Sequence, residues 1–319
     1  MKKSILSLLM VVLALTTAVA QESQTEYNFL RLPVSAHAAA LGGDNITIIE
    51  DDASLMFGNP ALLASVSDRT LNLNFMTYMA GAVTGSASFS RVASEKASWG
   101  VMAQYMNYGK MKETDENNVE TGEFSAQEIA LAGAFSYTLA KNLVGGITAR
   151  LITSYIGGYN SMAAGIDLGL NYYDPEREWS VSAVAKNLGG QIKAYDDEFG
   201  RMPLDVQLGV TKRFENMPFR LSLTAVDLTH WNYNAINHLV AGVDLMLGDQ
   251  FYVSGGYNFR RAKDMKIAEG SGEEADESSH GAGLSFGAGI QMERFKLQVG
   301  YAKYHVSSSS IVVNVSLEI

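Results

Sequence analysis

The chain is 319 residues long and acidic, with 24 Lys and Arg against 34 Asp and Glu, and it contains no cysteine. An acidic surface has no electrostatic reason to hold a phosphate backbone, so nucleic acid is excluded as a partner. Without cysteine there is no disulfide framework, no cysteine-ligated zinc site and no thiol for a lipid anchor. That absence suits the oxidising periplasm, where stray thiols are a folding hazard.

Met1-Lys2-Lys3 is a short positive start, Ile5 to Leu15 is apolar, and Ala18-Val19-Ala20 supplies a small-x-small cleavage site. Residues 1–20 therefore read as a secretory signal peptide with Gln21 as the first mature residue. The apolar run is shorter than the roughly 20 residues of a spanning helix. Residues 21–68 are irregular, with an alanine-rich run at Ala36–Leu41 and two punctuations, Leu41-Gly42-Gly43 and Phe57-Gly58-Asn59-Pro60. A stretch of this length has room for a job, and a plug or hatch inside a barrel is expected; a periplasmic tail is the plainer alternative.

Residues 69–319 are expected to form an all-β, transmembrane antiparallel barrel of about 14 strands. Period-two alternation carries this reading. In Met162–Tyr173 the even positions are apolar, whereas the odd ones include Asp167 and Asn171. Leu284, Phe286, Ala288, Ile290 and Met292 alternate with Ser285, Gly287, Gly289 and Gln291, and further segments from Leu71–Phe75 to Ile311–Ile319 do likewise. Pro175 and Pro218 fall in tight turns and Pro203 in a loop, as a continuous hydrogen-bonded sheet requires.

A soluble sandwich also alternates, so the turns decide. Ala93–Ser98, Thr138–Asn142, Asp174–Glu178, Glu215–Pro218, Gly248–Gln250 and Glu293–Arg294 are short, while Gly109–Gln127, Gly189–Leu204 and Arg261–Ala282 read as long polar loops on the other side. Short periplasmic turns opposing longer outer loops mark an outer-membrane barrel. Trp99, Tyr137, Tyr172, Trp179, Phe214, Phe219, Phe251 and Phe295 sit beside the short turns, as an interfacial girdle would. Lys212, Lys303 and Asp227 are the charges expected on the lipid face, near strand ends. Arg150, Asp167, Asn171, Gln207, Gln298 and Asn314 are expected in the lumen. A hairpin turning near Ile156–Ser161, with partners summing to about 317, places Arg150 opposite Asp167 as a lumen pair.

No catalytic, metal or cofactor site is expected. His37, His230, His238, His280 and His305 show no metal-ligand spacing. His305 with Ser307–Ser310 lacks a third member for lipase chemistry, and Glu273-Glu274-Ala275-Asp276-Glu277 lacks the ligand spacing of a calcium loop. Gly145-Gly146 and Gly255-Gly256 are not phosphate loops but small residues where strands curve or a plug approaches. If the outer surface docks a protein, Lys110–Gly122, Gln191–Met202 and Met265–His280 are the candidate loops, with Glu273, Glu274, Asp276 and Glu277 the charges that would steer it.

The ordered set Asn28-Phe29-Leu30-Arg31-Leu32-Pro33, Ala38-Ala39-Ala40-Leu41-Gly42-Gly43, Asp51-Asp52-Ala53-Ser54 and Asn59-Pro60-Ala61-Leu62-Leu63 resembles the opening of the PorV/PorQ family, closest to its PorQ branch. That family belongs to a wider group of barrels similar to the fatty-acid transporter FadL. The resemblance implies a place in the type IX secretion system, embedded in membrane lipid and anchoring a surface protein similar to PorZ near PorU and PorV. The alternative is a FadL-like outer-membrane channel for hydrophobic molecules. A polar lumen face and the absence of a proline-kinked strand weigh against it.

Overall fold

The structure, a computed structural model, describes residues 25–319 apart from 216, 231–233, 249, 266, 270–275, 279–280 and 306–307. The expected signal peptide, residues 1–20, lies outside the described residues. Alternation of apolar and polar residues resolves into two faces of one sheet. On the strand containing Met162–Tyr173, Leu168 and Leu170 are about half exposed, whereas Asp167 and Asn171 are buried. Leu131, Leu151, Leu208 and Phe286 are exposed on the same outer surface. A continuous apolar exterior of this kind is stable only against hydrocarbon.

The sheet closes as one antiparallel barrel of β1 (Thr70–Thr77), β2 (Val83–Ser94), β3 (Ala97–Thr114), β4 (Glu120–Ala140), β5 (Leu143–Ile156), β6 (Tyr159–Asp174) and β7 (Trp179–Lys193), followed by β8 (Asp205–Arg213), β9 (Phe219–Ala225), β10 (Leu239–Leu247), β11 (Phe251–Asn258), β12 (Leu284–Gln291), β13 (Phe295–His305) and β14 (Ser308–Glu318). This is an outer-membrane barrel. Its short turns share one end with Thr70 and Glu318, which is therefore the periplasmic end. Trp99, Tyr137, Tyr172, Trp179, Phe219 and Phe251 are exposed at that end, and Phe214 and Phe295 are partly buried there. Lys212 lies over the Trp179 ring at 5.4 Å and donates to the Arg177 carbonyl, so its charge reaches the interface.

Closure is made by β14 on β1, with Leu71 opposite Leu317 and Leu73 opposite Val315. Ending the chain after Asn314 removes that part of the seam and leaves β1 and β13 with unpaired backbone in the bilayer. Each such group costs several kcal/mol. Outer-membrane fractions should then hold little assembled protein on immunoblots; wild-type levels would show that this part of the seam is dispensable.

Three sequence expectations are corrected. Gly109–Gln127 is not a long loop. β3 and β4 stay paired as far as Thr114 and Glu120, beyond the last partners of β2 at Asn107 and of β5 at Ala126. The result is a two-stranded ribbon rising roughly 20 Å above the wall, at about 3.4 Å per residue. It bears the ion pairs Lys110–Glu123 and Lys112–Glu120. Second, partners in the β5–β6 hairpin sum to 315, because the turn is only Gly157-Gly158, with Gly157 at φ +57°. Arg150 is therefore opposite Gly165, and Asp167 opposite Thr148. Third, Asp227 does not face lipid. It lies past the end of β9, buried, with its carboxylate on His230 and Arg260. Lys303 is half-buried on β13, two residues from the outer end of that strand.

Candidate functional site

Residues 25–66 pack against the lumen face of the barrel wall as a plug, and their motif residues explain how. Ser35 caps the short helix α1 (Ala36–Ala40), accepting from the Ala38 amide at 3.3 Å. Leu41-Gly42-Gly43 then reverses the chain, with φ of +103° and +101° at the glycines. Asp52 caps the next turn by accepting from the Ser54 amide at 2.8 Å, and it also receives the Asn72 side chain at 2.9 Å. Asn59 caps the turn begun by Pro60 and donates to the Ile46 carbonyl at 3.0 Å and Ser182 Oγ at 3.2 Å. Each cap satisfies an orphan backbone donor and ties the segment to itself or to the wall.

Glycines in the wall receive the plug backbone. A Cβ at Gly256 would stand 2.3 Å from the Leu41 carbonyl carbon, and one at Gly146 would stand 2.4 Å from the Ala61 nitrogen. Both residues face the plug, whose close approach was one of the two roles expected of these glycine pairs. The crevice between plug and wall measures about 40 Å³, on the order of one water's share of liquid, roughly 30 Å³. A wider concavity, about 960 Å³, lies on the lipid-facing side of β1–β7 between Phe89, Leu131 and Ile166.

A buried ionic cluster ties the plug to the periplasmic parts of β9, β10 and β13. His37 of α1 contacts Glu50 through Nδ1 at 2.9 Å and Asp244 of β10 through Nε2 at 2.8 Å. Arg220 of β9 donates to the second Asp244 oxygen at 2.7 Å, and Lys296 of β13 lies 3.6 Å from Glu50. The His37 ring stacks on Tyr252 with centroids 4.1 Å apart. Burial disfavours a charged imidazole, but the Glu50 and Asp244 carboxylates outweigh it and raise the His37 pKa to about 9. Sequence reading missed this cluster, although Asp244, Arg220 and Lys296 all occupy buried lumen positions.

Other polar residues sit where expected. Arg150 reaches Asp167 diagonally at 2.7 Å and Asn187 at 3.0 Å. Asp167 in turn accepts the Asn187 amide at 2.7 Å, holding a bulge of β7 in which Asn187 has φ +60°. Gln207, Gln298, Asn171 and Asn314 are buried in the lumen. Of the proposed docking charges, Glu273 and Glu274 lie outside the described residues. Asp276 and Glu277 belong to a short strand, Asp276–Ser278, paired with Ile267–Glu269.

Above the plug is a vestibule of about 480 Å³ open to the outer end. Its lining includes Arg31, Lys186, Arg260 and Arg261, four aspartates, and the rings of Tyr78 and Tyr304. Beside it, Tyr27, Phe29 and Leu30 pack into an apolar part of the lumen formed by Met106, Ala130, Ile152, Ala163 and Met202.

No protein-family model and no curated protein matches the sequence. Among solved structures, the chain is similar to the toluene transporter TodX of Pseudomonas putida, with a TM-score of 0.56 at 13% identity over 88% of this chain and 96% of that one. A FadL homologue of Pseudomonas aeruginosa gives 0.54 at 11% identity over 89% and 98%. The monoaromatic hydrocarbon channel CymD gives 0.53 at 15% identity over 89% and 96%. At these identities the likeness is one of fold, that of a FadL-like outer-membrane barrel.

Proposed function

We propose that this barrel is a non-catalytic docking platform of the cell surface, a component of the type IX secretion system that anchors an attachment-complex protein similar to PorZ, near PorU and PorV. The closed interior carries this reading. A plug seated on wall glycines and held by buried ion pairs leaves the outer end as the working surface. That end presents the β3–β4 ribbon and the loops after β7 and β11. The resemblance of the plug motifs to the PorV/PorQ family supports the choice of system. The expected experiment shortens Met265–His280 to a tight turn. The barrel should remain heat-modifiable on gels, while surface biotinylation and pull-down show release of a surface protein.

A second reading rests on the shared fold, since TodX is a toluene transporter and CymD a monoaromatic hydrocarbon channel. Under it, the apolar lumen now filled by Tyr27, Phe29 and Leu30 would be the ligand path. A loop-trimmed strain that keeps every surface protein but takes up a hydrophobic solute at an altered rate would replace the platform with this channel.

A further inference from the structure

The outer vestibule has an uneven charge pairing. Four cations and four carboxylates line it, yet Arg260 alone engages two of those carboxylates, Asp227 and, at 3.4 Å, Asp264. Asp205 is taken by the Gln207 side chain at 2.6 Å and the Asp227 amide at 2.7 Å. Asp44, on the plug, accepts hydrogen bonds from the neutral amides of Gln207 at 3.3 Å and Asn258 at 3.4 Å; burial pushes its pKa upward, against the nearby charges of Lys186 and Arg261, which do not pair with it directly. No ion pair joins Arg31, Lys186 or Arg261 to a carboxylate among the described residues. Arg261 lies 4.0 Å over the Tyr304 ring, and its buried Nη1 has no hydrogen-bond partner there. A buried guanidinium donor left open is costly unless something fills it. The cavity volume falls within the roughly 300–1,000 Å³ of small-molecule sites.

We infer that the outer vestibule is a binding subsite for a small oxyanion, a phosphate monoester or carboxylate on a short apolar body, held by Arg31, Lys186 and Arg261. Guanidinium forks match the paired oxygens of either group, and Lys186 adds a point charge beside them. Leu30, Leu32, Tyr78, Val226 and Tyr304 supply the apolar walls. The site differs in kind from a path for neutral hydrocarbons, and it does not depend on what docks outside.

The test titrates the purified full-length barrel, in non-ionic detergent, with phenyl phosphate, benzoate, toluene and phenylalanine by calorimetry. Both anions should bind and weaken with added salt, and the tighter of the two identifies the preferred oxyanion. Lys186→Met and Arg31→Gln should each weaken binding about ten-fold, as loss of one charged hydrogen bond does. Toluene binding as tightly as benzoate would overturn the inference. So would anion binding indifferent to both substitutions, or phenylalanine binding more tightly than benzoate, which would make the subsite zwitterion-specific.

Discussion

Replacing Gly256 and Gly146 together with valine is expected to unseat the plug. At both positions the obstruction is main chain, Leu41–Gly42 at one and Pro60–Ala61 at the other, so no rotamer change relieves it. Overpacking a fitted core costs about 1–3 kcal/mol per site even where side chains can yield. The strands keep their ladder and their apolar exterior, so the barrel still has reason to form. Less of it should reach the membrane, and what does should conduct ions in planar bilayers. It should also expose residues 25–66 to added protease. Gly133→Val is the control, because a Cβ there meets nothing within 4 Å. A double variant as closed and protease-resistant as Gly133→Val would mean that the plug is not held by close fit to the wall.

The spanning strands were legible because lipid and lumen impose opposite demands on alternate residues, as in Leu168 and Asp167. Above the membrane that contrast disappears. Both faces of the ribbon around Lys110 and Glu123 are wet, so a paired strand there carries the composition of a loop. The Arg150–Asp167 pair survived an error of two in register because residues two apart share a face and a long guanidinium can reach diagonally. The ionic cluster was illegible for another reason. His37, Glu50, Arg220, Asp244 and Lys296 meet only after the barrel has closed and the plug has entered, and no local spacing links them. Asn59-Pro60 was visible as punctuation, but its bonds to Ile46 and Ser182 depend on that same seating.

Asp244→Ala should be the most damaging single change in the lumen. The carboxylate accepts from Arg220 at 2.7 Å and Ser254 at 2.6 Å and meets His37 at 2.8 Å. Removing one partner from a buried ion pair costs about 3–5 kcal/mol, chiefly because the cation left behind is uncompensated. The heat-modifiability midpoint and the urea midpoint should both fall well below wild type. Replacing both partners, Arg220→Met with Asp244→Leu, should do less harm than Asp244→Ala, since no orphaned guanidinium remains. The same contact sets a pH response. The His37 pKa is raised in the fold from 6.5 to about 9. Its contribution is therefore complete below pH 6.5 and fades as pH rises through 9. Wild-type stability should decline across that window, and His37→Gln should flatten the decline while lowering stability at pH 6. If His37→Gln leaves the decline unchanged, or Asp244→Ala melts with wild type, the plug is held by shape alone and the cluster is incidental to it.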